Sequence, residues 1–321
     1  MLCLDKDNLF ENSGVSLSNI TELSLSQSVL DERRICEIHN VALSAFDFFV
    51  NMRGEGMELY EILSLISEDF PELSQAHHAE ALKENSARLE KMRMSRVLFD
   101  KMSFAELFVE LSGERGYALS EKDFLPEDFE GARFVYVKNI YSDEAYDVFS
   151  QSFADPRVKY SATFKEALLA VCEGEADFAV LPLEERGARI ASISEMLFKH
   201  DLKINSVIPV FGIDGQADIK YAMVSKNYTV PEIDSEDDRY LEIRLAQNSD
   251  FSLSDLLSAA FGLGASVYRV NTQSFSTEEG VLPYYSVVFC GEGVDFTALL
   301  VFLTLFVKDY RAVGIYKNLE E

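Results

Sequence analysis

Arg239-Tyr-Leu-Glu-Ile-Arg-Leu-Ala246 alternates apolar and polar residues, the two-residue period of a half-buried strand. It begins a run of elements, ending near Lys317, whose order decides the fold. Ser252 to Gly262 carries Leu253, Leu256, Leu257 and Ala260 at helical spacing, with Ser252 or Ser254 placed to cap the helix and Gly262 or Gly264 to end it. Ala265–Phe275 and Tyr284–Cys290 read as two further strands, Phe296–Val307 as an apolar helix and Arg311–Tyr316 as a closing strand. Strand, helix, strand, strand, helix, strand is the order of the ferredoxin-like fold, an antiparallel sheet with two helices on one face.

Upstream, from Arg133 to Lys226, the pattern becomes α/β. Phe134–Lys138 is a short strand, Asp143–Phe153 a helix and Val158–Ala162 another strand. Thr163-Phe-Lys-Glu166 has the form of a capping box, so Thr163 opens a helix over Phe164–Cys172. Phe178-Ala-Val-Leu-Pro-Leu183 is apolar throughout, as a strand buried on both faces is. A helix over Ile190–Phe198 and a strand over Leu202–Ile208 follow.

Residues 1–128 are read as all-helical. Met1 to Asn19 is polar and irregular. Leu23–Met52 carries Val29, Ile35, Ile38, Val41, Leu43, Phe46 and Phe49 as an amphipathic helix, which Gly54-Glu-Gly56 breaks. Glu58–Ile66 is a short helix, Phe70-Pro71 a turn, and Gln75–Leu111 a long helix ending near Gly113. Gly116–Gly131, acidic and containing Pro126, reads as a linker. Arg33, Arg34, Arg53, Lys83, Arg88, Arg93 and Arg96 either pair at i,i+4 with the abundant glutamates or are candidate cations that long helices could turn towards a dicarboxylate.

Composition sets the remaining bounds. Hydrophobic residues make up 48% of the 321, ample for folded cores. The net charge of −26, from 55 acids against 29 bases, argues against a nucleic-acid partner, because phosphates need neutralising cations. No apolar run is long enough to span a bilayer, and Met1-Leu-Cys-Leu-Asp-Lys-Asp7 lacks the features of a signal peptide. Cys3, Cys36, Cys172 and Cys290 are scattered, as reduced thiols of a cytoplasmic protein are. His77 and His78 lie on different helix faces, and no metal-ligand cluster or cofactor motif is present.

Two blocks carry a resemblance. Glu173-Gly-Glu-Ala-Asp-Phe-Ala-Val-Leu-Pro-Leu-Glu184 resembles the G-x-A-D-Y-A-V-V-P-I-E-N signature of prephenate dehydratases. Ala312-Val-Gly-Ile-Tyr316 resembles the V-L-G-x-Y ending of the ACT domain attached to them, and Tyr285-Ser-Val-Val-Phe-Cys-Gly-Glu-Gly293 its aromatic strand and acidic-Gly turn. The implied organisation is multidomain α+β. A helical domain (1–128) holds the place of a chorismate mutase in bifunctional relatives. One α/β lobe (132–228) resembles half of a two-lobed, periplasmic-binding-protein-like dehydratase, and an ACT domain (238–319) follows.

The departures from the family are as informative. The stretch after Pro182 is too short to build a second lobe before the ACT strand. The family's opening glycine loop is replaced by Lys138-Asn139-Ile140-Tyr141-Ser142, of which Tyr141 and Ser142 match. The family's Asn after Glu184 is Glu185, and its catalytic Thr-Arg-Phe triplet aligns with Ile219-Lys220-Tyr221, so Ile219 stands where the hydroxyl belongs. By resemblance the pocket residues are Tyr141, Ser142, Thr163, Glu184, Lys220 and Tyr221. The two ACT ligand motifs fall on Phe251-Ser252-Leu253 and on Asn271-Thr272-Gln273-Ser274.

These features imply a catalytically degenerate dehydratase–ACT relative, linked to phenylalanine metabolism, that binds a small ligand and forms a homodimer through the ACT domain. The alternative is an active prephenate dehydratase, or a mutase–dehydratase, under ACT control.

Overall fold

The computed structural model describes residues 38–69, 86–125, 131–211, 217–234, 238–247, 249, 251–277, 280–308 and 310–317. The polar stretch Met1 to Asn19, the predicted helix before residue 38, the Phe70-Pro71 turn and residues 75–85 lie outside them.

Among the described residues four helices come first: α1 (38–54), α2 (Leu59–Asp69), α3 (Ser86–Glu114) and the single turn α4 (Glu121–Phe124). The α/β part follows as β1 (Arg133–Val137), α5 (Ile140–Ser150), β2 (Arg157–Ser161), α6 (Phe164–Cys172), β3 (Phe178–Glu185), β4 (Ala188–Arg189), α7 (Ala191–Lys199), β5 (Lys203–Phe211) and β6 (Ala217–Ser225). The last part is β7 (Asp238–Ala246), α8 (Leu253–Gly262), β8 (Ser266–Thr277), β9 (Gly280–Glu292), α9 (Thr297–Phe306) and β10 (Tyr310–Lys317).

The final four strands lie in the order β10-β7-β9-β8, every neighbouring pair antiparallel. That is the ferredoxin-like arrangement expected from the alternating pattern. The α/β strands order as β2-β1-β3-β6-β5, with β1 parallel to both β2 and β3. The two sets are one mixed sheet, because β10 pairs in parallel with β5 where Gly314 faces Ile204. Among the described residues the α/β part has one sheet, with no second α/β lobe facing it.

Helix α9 explains how the helical segment docks. Leu299, Leu300, Val301, Phe302, Leu303 and Leu305 are all buried, and a helix apolar on every side must be covered on every side. Leu241, Ile243 and Leu245 of β7 cover one side. Phe46, Phe104 and Phe108 of α1 and α3 belong to the same continuous core, with Phe104 meeting Phe306 edge-on at a ring separation of 6.3 Å.

The stretch from Gly116, read above as a linker, is a packed element over its described residues. Phe124 and Leu125 are buried, and Glu121 forms a two-pronged pair with Arg239 of β7 at 2.9 and 2.5 Å. Arg239 has no exposed surface. It also donates to the carbonyls of Val294 (2.6 Å) and Pro231 (3.0 Å), while Phe296 N donates to Glu121 at 2.8 Å.

Candidate functional site

The corner between β1 and α5 holds three of the residues singled out by resemblance. Asn139 caps α5: its side-chain oxygen accepts from the N–H groups of Tyr141 and Ser142, both at 3.0 Å. Its amide nitrogen donates to Ser142 Oγ (2.6 Å) and to the Val137 carbonyl (3.1 Å). Ser142 is fully buried, and Tyr221 nearly so. Burial pushes the Tyr221 phenol up, and hydrogen bonding to Ser142 and Asn139 offsets part of that rise. An asparagine already occupies the first-turn donors that the glycine loop of a dehydratase would aim at an anion. The corner is closed and self-satisfied.

The other residues lie elsewhere. Thr163 is the predicted helix cap, accepting from Glu166 N at 3.2 Å while Glu166 accepts from Ala162 N at 3.0 Å. Lys220 and Tyr221 are adjacent in β6, so the strand sends them to opposite faces. Tyr221 joins Ile219, Phe134 and Tyr136 in the core beneath α5. Lys220 sits across from Glu184 on the face beneath α7. The six residues are therefore divided between two faces and a helix end.

On that second face lies a buried ion network, of which the motif reading named only Glu184. Glu184 pairs with Arg269 of β8 at 2.5 Å and lies 3.3 Å from Arg189 Nε. Arg189 Nη2 donates to Glu242 of β7, which also accepts from Ser286 Oγ (3.1 Å) and Tyr316 OH (3.3 Å). The side chains of Glu184, Arg189 and Glu242 are each no more than 7% exposed. Burial opposes the charge on Arg189, but Glu242, Tyr316 and Glu184 more than offset it, so the guanidinium stays protonated. Burial and the Glu242 charge together hold the Tyr316 phenol well above its usual range. The network joins the α/β part (Glu184, Arg189) to the ferredoxin-like part (Glu242, Arg269).

Beside it opens a cavity of about 530 Å³ between these parts. One wall is the β3–β4 turn and the start of α7, with Arg189, Ser194 and Glu195; the other is Asn271, Thr272, Gln273, Ser274 and Phe275 of β8. The N-cap of helix α7 is Ile190, whose side chain offers no hydrogen-bond acceptor to the first turn. Phe275 forms a firm apolar end, stacked on Phe198 at 4.2 Å with Arg244 5.4 Å above both rings. Apolar surface, convergent polar groups and one buried cation are the ordinary makings of a small-molecule pocket.

The two ACT-type motifs part company within the chain. Asn271 to Ser274 line the cavity, whereas Ser252 caps α8, accepting from Asp255 N at 3.0 Å. Phe251 meets Phe302 edge-on at 5.7 Å, and Leu253 packs against the helical core.

No family model matches this chain, and neither does any curated protein. Among solved structures, a prephenate dehydratase from Streptococcus mutans aligns at 15% identity over 59% of this chain and 100% of its own, with a TM-score of 0.47. GqqA, described as a novel type of quorum-quenching acylase, aligns at 18% identity over 59% and 96%, TM-score 0.43. A prephenate dehydratase from Arthrobacter aurescens, solved with L-Phe, aligns at 13% identity over 57% and 89%, TM-score 0.41. At such identities and scores the likeness carries no weight for the chemistry of this chain.

Proposed function

We propose that this chain is a non-catalytic, dehydratase-like and ACT-like protein that binds an aromatic amino acid or a prephenate-like carboxylate in the cavity between its two β-rich parts. The observation that carries the reading is the presence of Asn271 to Ser274, the counterpart of an ACT ligand motif, in the wall of that cavity. Degeneracy is supported by Ile219, a hydrocarbon in the core beneath α5 where a proton-donating hydroxyl is required. The closed Asn139–Ser142 corner supports it too. A second copy pairs along β8, the edge strand of the sheet, where Val267 and Val270 are exposed.

The test is thermal unfolding with phenylalanine, tyrosine, tryptophan or prephenate, beside a phenylpyruvate assay and a solution mass on the same protein. At least one aromatic amino acid raises the unfolding temperature, since ligand at a hundred times its Kd adds about 2.7 kcal/mol. Gln273→Trp, which fills the cavity from an edge strand, removes the shift. Prephenate is not turned over, and the mass is that of a dimer. Phenylpyruvate formation would overturn the degenerate reading, absence of any shift the ligand-binding one, and a monomeric mass the pairing.

A further inference from the structure

We infer that the cavity reads the carboxylate end of its ligand through Arg189, and that it does so at the expense of the Arg189–Glu242 pair, so that occupancy and the contact between the two parts of the chain are linked. The inference rests on the ligand-binding reading above and adds the orientation of the ligand and the way its binding is regulated.

Three observations converge on Arg189. Its side chain is only 7% exposed yet lines the cavity. Its Nε makes no hydrogen bond, lying against Glu184 without the geometry for one. It is followed directly by the uncapped start of α7, whose dipole and first-turn N–H groups favour an anion at the same end of the cavity. A planar guanidinium matches a carboxylate with two parallel hydrogen bonds. Phe275 lies among the lining residues and supplies apolar surface for the rest of the ligand. Glu195, on the first turns of α7, is the acidic group in the lining and suits an ammonium.

Arg189 is also the residue through which the β3–β4 turn holds β7, by way of Glu242. A carboxylate entering the cavity therefore competes with Glu242 for one guanidinium. Linkage makes this reciprocal: whatever weakens the Arg189–Glu242 pair strengthens ligand binding by the same factor.

The experiment is calorimetric titration of the full chain and of Glu242→Gln with phenylalanine, 3-phenylpropionate and phenethylamine. Glutamine removes the competing charge and keeps one acceptor oxygen, for Tyr316, while its amide nitrogen can donate to the Ser286 hydroxyl, which also accepts. The expected result is binding of phenylalanine and 3-phenylpropionate, not of phenethylamine, with Kd values about fivefold to tenfold lower in Glu242→Gln. Arg189→Met, where it folds, loses both carboxylates. Equal binding of phenethylamine, or unchanged or weaker binding in Glu242→Gln, overturns the inference while leaving the ligand-binding reading standing, provided Gln273→Trp abolishes phenylalanine binding. No binding of any of the three overturns the inference, and overturns the ligand-binding reading as well when tyrosine, tryptophan and prephenate also fail to bind.

Discussion

Gly314→Ala lowers the unfolding free energy by about 3 kcal/mol, near the top of the range for overpacking. A Cβ on Gly314 would stand 2.2 Å from the Ile204 carbonyl oxygen and 3.0 Å from its carbon. Both contacts are to backbone, at the register pair that joins β10 to β5, so no side-chain rotation relieves them. The strands must separate, and the single sheet is cut into its two parts. The check is urea denaturation, in which the midpoint falls with little change in slope if folding remains all-or-none. Gly262→Ala is the control. Its Cβ would meet Met102 Cε at 1.8 Å, the far end of a flexible side chain, and methionine adapts. A cost there equal to that of Gly314→Ala would mean that the junction has no special role.

Glu121→Ala is the second large effect, about 4 kcal/mol. The loss does not come from the strength of the ion pair. It comes from stranding Arg239, which has no exposed surface and is left, among the described residues, with the carbonyls of Val294 and Pro231 as hydrogen-bond acceptors. Phe296 N, at the N-cap of α9, loses its acceptor as well. Replacing both partners, Glu121→Leu with Arg239→Met, recovers part of the loss, because the buried charge goes with its partner. A Glu121→Ala protein as stable as the parent would show that residues 117–125 are a loose tether after all.

Sequence and structure agree most closely where local pattern is sufficient. The alternation in Arg239–Ala246, the capping box at Thr163 and the double-face burial of Phe178–Leu183 each specify an element without outside help, and each is present. What alternation cannot tell is the nature of the second face. Tyr240, Glu242 and Arg244 look like a solvated stripe, yet all three are buried, because α7 and β4 bring Arg189 and Phe198 over them. Those partners are distant in the chain, and so is Glu121 from Arg239. One unread signal was within reach: the apolar α9 announces that a second helical layer must cover it. The motif reading drew attention to Asn271–Ser274, but it grouped Lys220 with Tyr221, which strand geometry separates.

Hydrogen–deuterium exchange with and without saturating phenylalanine tests the account most directly, because it locates the ligand rather than merely detecting it. Protection should rise over residues 187–195 and 271–275, the two walls of the cavity. It should stay unchanged over Lys138–Ser142 and around Thr163. Protection centred on that β1–α5 corner instead would return the ligand to a dehydratase-like site and contradict the account.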